Sequence, residues 1–238
     1  SSSFGPGKRF VNFGAGGAAL IFSEESLIRN NLSRLSFGTL RGSYGTTGND
    51  QIGDYGYLDA YEVTMGPSGL YPTQLFNPDY SWETNKKLEL AMELGFLKDR
   101  INIAISWYRN RSSNQLVGLS LPAMTGFNSV QANLPATVEN KGWEIELNTR
   151  NIQSKDFNWQ TSFNISFPEN KLIAFPDLEN SSYQNTYQIG EPLSIRWLYQ
   201  YAGIDPETGY YTIADINEDG RNDYDDRVES KSLVREYY

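Results

Sequence analysis

Asp215, Asn217, Asp219, Asp223 and Asp226 place side-chain oxygens at the first, third, fifth, ninth and twelfth positions of the stretch DINEDGRNDYDD, with Gly220 at the sixth. Hard oxygen donors at those intervals, completed by the main-chain carbonyl of Arg221 at the seventh, form the donor set of a calcium loop. The glycine permits the sharp turn beneath the ion. Aspartates crowded into so short a stretch repel one another, and a divalent cation relieves that repulsion. The fit is to structural Ca2+ rather than to Mg2+, which keeps its waters. The competing outcome is an ion-free turn closed by bonds from the backbone to its own Asp and Asn side chains. An EF-hand would flank the loop with two amphipathic helices, but GYYTIA precedes it and RVESKSLVREYY follows, and neither has a helical period. Something other than a helix pair must position it.

Composition limits the remaining chemistry. The 238 residues include no Cys and no His, which removes disulfides, thiolate and imidazole zinc sites, Cys nucleophiles and every triad that needs a His base. The acids supply many carboxylate pairs, yet no pair is singled out for glycoside hydrolysis, which requires a set separation in a pocket. No enzymatic activity is expected. A formal net charge of -9, with Lys and Arg scattered, excludes a phosphate-binding stripe, so nucleic acid is not an expected partner. The longest apolar run, AGGAALIF from Ala15 to Phe22, is far shorter than the roughly 20 residues of a membrane-spanning helix.

The elements that must carry the loop are strands. In FNWQTSFNISF, residues Phe157, Trp159, Thr161, Phe163, Ile165 and Phe167 alternate with Asn158, Gln160, Ser162, Asn164 and Ser166. INIAISW, KLELAMELGF and WEIELNTR repeat the pattern. Such alternation reads as strands with one apolar and one polar face, of a length that suits tilted strands crossing a bilayer (about 9–11 residues). LKDR at 97–100 and NIQSKD at 151–156 are short connections, while 46–81 and 112–140 read as long loops rich in Gly, Pro, Asn and aromatic residues. Trp82, Trp107 and Trp143 near strand ends resemble an aromatic girdle. A soluble β-sandwich would share the alternation. RFVNFGAGGAALIF and LSFGTLRGSYG add two strands, with a short helical turn in SEESLIRNN between them. DPETG at 205–209 predicts a hairpin of 197–204 with 210–214. The fold expected is all-β: antiparallel strands of a large, partial transmembrane β-barrel with long extracellular loops and short periplasmic turns. Residues 1–167 are expected to supply barrel strands, and 168–238 an extracellular loop and hairpin region that carries the acidic motif.

Five strings in order, FGPGKRF, RGSYGTTGNDQIGDYGYLDAY, LFNPDYSWETNKKLELAMELGFLKDRINIAISWYRNRSSNQLVGLSLPAMTGF, NKGWEIELNTRNIQSKDFNWQTSFNIS and GIDPETGYYTIADINEDGRNDYDDR, resemble the SusC/RagA family of TonB-linked outer-membrane transporters. The resemblance implies an internal segment of the C-terminal half of a large plugged barrel in a Gram-negative, Bacteroidetes-type outer membrane. It implies active import of oligosaccharides or peptides. The implied partners are the remainder of the same barrel and its plug, a SusD-like surface lipoprotein, and the TonB complex reached through segments absent here. Glu89, Glu93, Glu144, Glu146 and Arg150 would then line a hydrated lumen facing plug or substrate. Tyr55, Tyr57, Tyr61, Tyr71, Phe127, Tyr199 and Tyr201 would stack on sugar rings, meet a lid or pack the loops together. The alternative function is a soluble extracellular calcium-binding β module for adhesion or carbohydrate binding.

Overall fold

The alternating segments pair with one another in chain order. The computed structural model describes residues 4–229 apart from 6, 51–54, 56, 64–68, 122, 126 and 128. Its first eight strands are β1 (Ala15–Leu20), β2 (Leu35–Asn49), β3 (Ala60–Val63), β4 (Leu70–Gln74), β5 (Glu83–Phe96), β6 (Ile101–Ser120), β7 (Ser129–Gln153) and β8 (Asn158–Ala174). A one-turn helix, α1 (Ser26–Asn31), lies between β1 and β2, where SEESLIRNN predicts it. Strands β3 and β4 form a small hairpin of their own, and the other six make one antiparallel sheet in the order β1-β2-β5-β6-β7-β8.

Register follows from the apolar period. Leu20, Leu40, Met92, Ile105, Ile145 and Ile165 stand opposite one another in a row that crosses all six strands. Leu94, Ile103, Leu147 and Phe163 make the next row, and Leu90, Trp107, Trp143 and Phe167 a third. Slipping any strand by one residue would turn its whole set to the opposite face. Leu90, Trp143, Phe163 and Phe167 are each at least half exposed, and among the described residues no second sheet covers this face.

Two expectations are corrected here. β1 and β8 are the outer strands of the sheet and do not pair with each other, so the sheet is open. A barrel has no edges, because its first and last strands share a ladder. The chain therefore forms an open antiparallel sheet and not the expected transmembrane β-barrel. The same two edges overturn its placement as an internal segment in the C-terminal half of such a barrel. No described helix is long and apolar enough to cross a membrane, a statement that does not bear on strands.

The connections also differ from expectation. The stretch 112–140 is largely strand, because β6 runs to Ser120 and β7 begins at Ser129. The ladder steps over an irregularity at Asn114 (φ 59°) and Pro135, which read as loop residues in sequence but are tolerated at a bulge. The turn from β5 to β6 holds Leu97, Lys98 and Asp99 at φ of 55°, 57° and 59°. It is pinned by Ser36, whose Oγ donates to Asp99 Oδ1 at 2.8 Å and accepts from the Asp99 N–H at 3.0 Å.

Apolar burial is local. Phe4, Tyr57 and Tyr80 form a buried cluster against Trp82 and Leu116. Beside it, the ring of Phe13 occupies the space that a Cβ at Gly48 would need. Ala136, Val138, Leu172 and Phe175 form a second cluster under Tyr183 and Tyr187. Beyond it lie β9 (Trp197–Tyr199), β10 (Tyr201–Ile204), β11 (Tyr211–Ile213) and β12 (Arg227–Glu229). β10 and β11 pair around DPETG as the turn chemistry predicts. β9, expected in the same hairpin, pairs instead with β12.

Candidate functional site

The polar face of the sheet brings most of the expected residues together. Register sets Arg41, Ala91, Ser106, Glu144 and Ser166 in one row, and Thr39, Glu93, Ala104, Glu146 and Asn164 in the next. Glu89 stands between Ser43 and Tyr108. A trough of about 420 Å³ runs along these rows, lined by Glu89, Glu93, Glu144 and Glu146 against a single guanidinium, that of Arg41. A wider depression of about 710 Å³ continues it along Ser43, Lys87, Tyr108, Asn110 and Asn140.

Arg41 lies 3.0 Å from Glu93, and Asn148 Nδ2 donates to Glu146 Oε1 at 2.6 Å. Ser106 Oγ donates to Glu144 Oε2 at 3.5 Å. Acceptors, hydroxyls and amides along one strip can hydrogen-bond and orient a polar solute. Arg150 shares the parity of Glu144 and Glu146 but lines neither depression; its backbone pairs with Arg100 near the end of the strand. Arg41 and Lys87 were not anticipated. Parity was the available signal, since Arg41 occupies the same alternate positions of β2 as Thr39 and Ser43.

The acidic loop folds around its own backbone. Asp215 accepts from the Asp219 N–H at 3.1 Å and from the Gly220 N–H at 2.7 Å, while Gly220 takes a φ of 78°. Asn217 Oδ1 also accepts from Asp219 N–H, and Asp219 Oδ1 accepts from Arg221 N–H. Asp226, fully buried, closes the loop by accepting from Ile216 N–H at 2.8 Å and Asp223 N–H at 2.9 Å. Asp223 in turn accepts from Asp225 N–H, so the pair forms a reciprocal cap on the single turn Tyr224–Asp226. The Asp223 N–H above all, with those of Ile216 and Asn217, holds the Asp226 carboxyl below its ordinary pKa, against the opposing effect of burial. Among the described residues, no three acidic side chains gather as a metal cage.

The loop aromatics divide. Tyr57 is buried. Tyr61 and Tyr71 are exposed, and the Tyr71 hydroxyl donates to Glu62 at 2.6 Å. Tyr201 packs edge-on against Tyr211.

Residues 15–230 match the family model described as TonB dependent receptor-like, beta-barrel. The chain is 32% identical over 207 residues to TonB-dependent receptor P39 of Formosa agariphila, covering 86% of this chain and 20% of that protein. It is 30% identical over 193 residues to TonB-dependent receptor SusC of Bacteroides thetaiotaomicron, covering 77% of this chain and 19% of SusC. Among solved structures, the RagAB peptide transporter aligns with a TM-score of 0.83 at 26% identity, covering 96% of this chain and 26% of that one. The RagAB peptide importer in its closed-closed state gives 0.80 at 27% identity, covering 96% and 25%. The chain thus spans about a fifth of these curated relatives and about a quarter of these solved chains.

Proposed function

The chain belongs to the TonB-dependent receptor-like β-barrel family, and on that premise we propose that it is part of a transporter importing oligosaccharides or short peptides, with no catalytic role. Its place is the outer membrane of a Gram-negative bacterium of the Bacteroidetes type. The observation that carries the proposal is the trough of Glu89, Glu93, Glu144 and Glu146 with Arg41, which runs across neighbouring strands on one face. Such a strip offers successive polar contacts to an oligomeric solute without a deep pocket to trap it. Arg150 would contact the same solute, or the transporter's plug, near the end of that face. The remainder of the transporter, a SusD-like surface lipoprotein and the TonB complex are the proposed partners.

Uptake tests the proposal. Replacing Glu89 and Glu144 together by Gln keeps shape and removes charge. We expect the half-saturation concentration for the imported oligomer to rise about tenfold, equivalent to about 1.4 kcal/mol, with the amount of transporter at the cell surface unchanged. Unchanged uptake kinetics would remove the trough from the substrate path.

For the acidic loop, the proposed ligand is a structural Ca2+ held by Asp215, Asn217, Asp219, Asp223 and Asp226 with the carbonyl of Arg221. Their spacing and the left-handed Gly220 support this reading. Each oxygen engaged by one N–H retains a second lone pair, although the side chains would have to turn inward to converge.

A further inference from the structure

The apolar face of the sheet changes character at one end. Two residues beyond the row of Leu90, Trp107, Trp143 and Phe167, the same face carries Tyr44, Leu88, Arg109, Lys141 and Glu169 in one row. Thr46, Lys86, Arg111, Glu139 and Lys171 make the next. We infer that Lys86, Arg109, Arg111, Lys141 and Lys171 bind the phosphates of an anionic lipid whose acyl chains lie along the apolar rows beside them.

Strand periodicity puts both kinds of row on one surface. Residues two apart share a face, so Trp107, Arg109 and Arg111 of β6 point the same way, as do Trp143 and Lys141 of β7. The trough, lined by residues of the other parity, lies on the opposite side. At the far end of the apolar face the row of Phe96, Ile101, Thr149 and Thr161 carries no charge. The cations of this face therefore gather at one end of the ladder.

Three of the five already meet a carboxylate. Arg111 Nε lies 2.6 Å from Glu139, while Lys141 and Lys171 share Glu169 at 3.3 and 2.6 Å. Lys86 and Arg109 have no acidic partner among the described residues, and each stands opposite another cation, Lys86 beside Arg111 and Arg109 beside Lys141. Like charges directly opposite one another destabilise a sheet, and an anion laid over them relieves the repulsion. Guanidinium groups grip phosphate through paired N–H groups, and ammonium groups attract it as point charges. Across β5 to β8 the band spans three inter-strand spacings, about 14 Å, so it can engage more than one phosphate at a time.

The neighbouring rows distinguish a lipid from a soluble phosphate, which would use the cations alone. Trp143 and Phe167 are more than half exposed, and among the described residues no second sheet covers them. Aromatic rings favour the level at which acyl chains give way to headgroups. The order of rows, aliphatic, aromatic and then cationic, matches the order of acyl chain, interface and phosphate along a lipid. Clustered Lys and Arg beside an apolar surface recognise anionic headgroups in this way. The outer membrane, where the chain resides, supplies the lipid.

Tryptophan fluorescence of the detergent-solubilised protein tests this, because Trp107 and Trp143 border the cations and are quenched by lipids with brominated acyl chains. The probes are brominated phosphatidylglycerol and brominated phosphatidylcholine, which share their chains and differ in net charge. Phosphatidylglycerol should quench at about tenfold lower concentration. Lys86→Gln combined with Arg109→Gln, which breaks no ion pair of the folded chain, should remove that preference. Equal quenching by the two lipids, or a preference that the double substitution leaves unchanged, overturns the inference. Inorganic phosphate at constant ionic strength should not displace phosphatidylglycerol. Displacement at millimolar phosphate also overturns the inference and assigns the cations to a soluble anion.

Discussion

In the six-stranded sheet apolar side chains line up in rows from strand to strand, as in the row from Leu20 to Ile165. Residues 175–229 have no such rows. Their strands are three or four residues long, their ladders two strands wide, and they are fastened by a small cluster at one end and by carboxylate-to-backbone bonds at the other. The sheet is over-determined, since many ladder bonds and side-chain rows specify one register. The second region depends on a few contacts, each of which matters singly. Its acidic loop is correspondingly easier to disturb than the trough.

Leu172→Ala probes the division most severely. Leu172 is 1% exposed and sits under Phe175, so truncation should cost about 2–5 kcal/mol. Its backbone also receives the loop, with Leu172 N–H donating to the Glu191 carbonyl and Gly190 N–H to that of Leu172. Amide exchange at Leu172 and Gly190 should accelerate accordingly while that of Ile103 and Ile145 stays unchanged. Equal acceleration in both places would show that the two regions open as one unit.

Arg111→Met asks whether the sheet has a single weak point of its own. Arg111 Nε lies 2.6 Å from Glu139, whose side chain is only 8% exposed. Removing the cation leaves that carboxylate buried without its ionic partner, for about 1–3 kcal/mol. The expected readout is a lower unfolding temperature of the detergent-solubilised protein, with the Asp215–Asp226 loop as protected as before.

How much of this was visible in sequence depends on the range of the cause. Alternation is local, so the faces of β5, β6, β7 and β8, and the gathering of Glu89, Glu93, Glu144 and Glu146, could be read directly. Closure is not local: nothing in the strands states whether β1 meets β8, and an expected barrel proved an open sheet. The extension of β6 and β7 was hidden by Asn114 and Pro135, which look like loop residues until a bulge accommodates them. Trp197 pairs with Glu229 across 32 residues, beyond the reach of a turn signal. In the acidic loop the spacing was legible, but the engagement of its oxygens by backbone N–H groups was not.

Asp226→Asn tests that engagement. One acceptor oxygen becomes a donor facing N–H groups, so exchange across 215–226 should accelerate about tenfold or more. Acid should act alike on the parent. The folded carboxyl is held below its unfolded value by the Asp223, Ile216 and Asn217 N–H groups. Its contribution is therefore complete above the ordinary carboxylate range and is lost as pH falls through the lowered folded value. Loop exchange, corrected for its intrinsic pH dependence, should stay flat from neutrality down to the ordinary Asp range and rise only below it. A rise beginning near neutral pH would mean that Asp226 does not hold the loop.

Calcium should produce the smallest effect and the sharpest distinction between a turn closed by its own backbone and one closed by an ion. The loop already satisfies Asp215, Asp219 and Asp226 internally, so an ion must reorient side chains that have partners. An affinity on the order of 10⁻⁴–10⁻³ M is then expected, as in extracellular calcium modules. At about 2 mM calcium, binding to the folded loop alone slows its opening by the factor 1 + [Ca2+]/Kd, about 3–20-fold. Asp219→Asn, which keeps an oxygen donor but removes one charge, should weaken that protection while leaving exchange in chelator near the parent's, because an Asn side-chain oxygen still accepts from the Arg221 N–H. Exchange that is the same in calcium and in chelator for the parent would leave a turn held by backbone bonds alone. Magnesium at the same concentration should protect less, since an ion that keeps its waters does not displace those bonds.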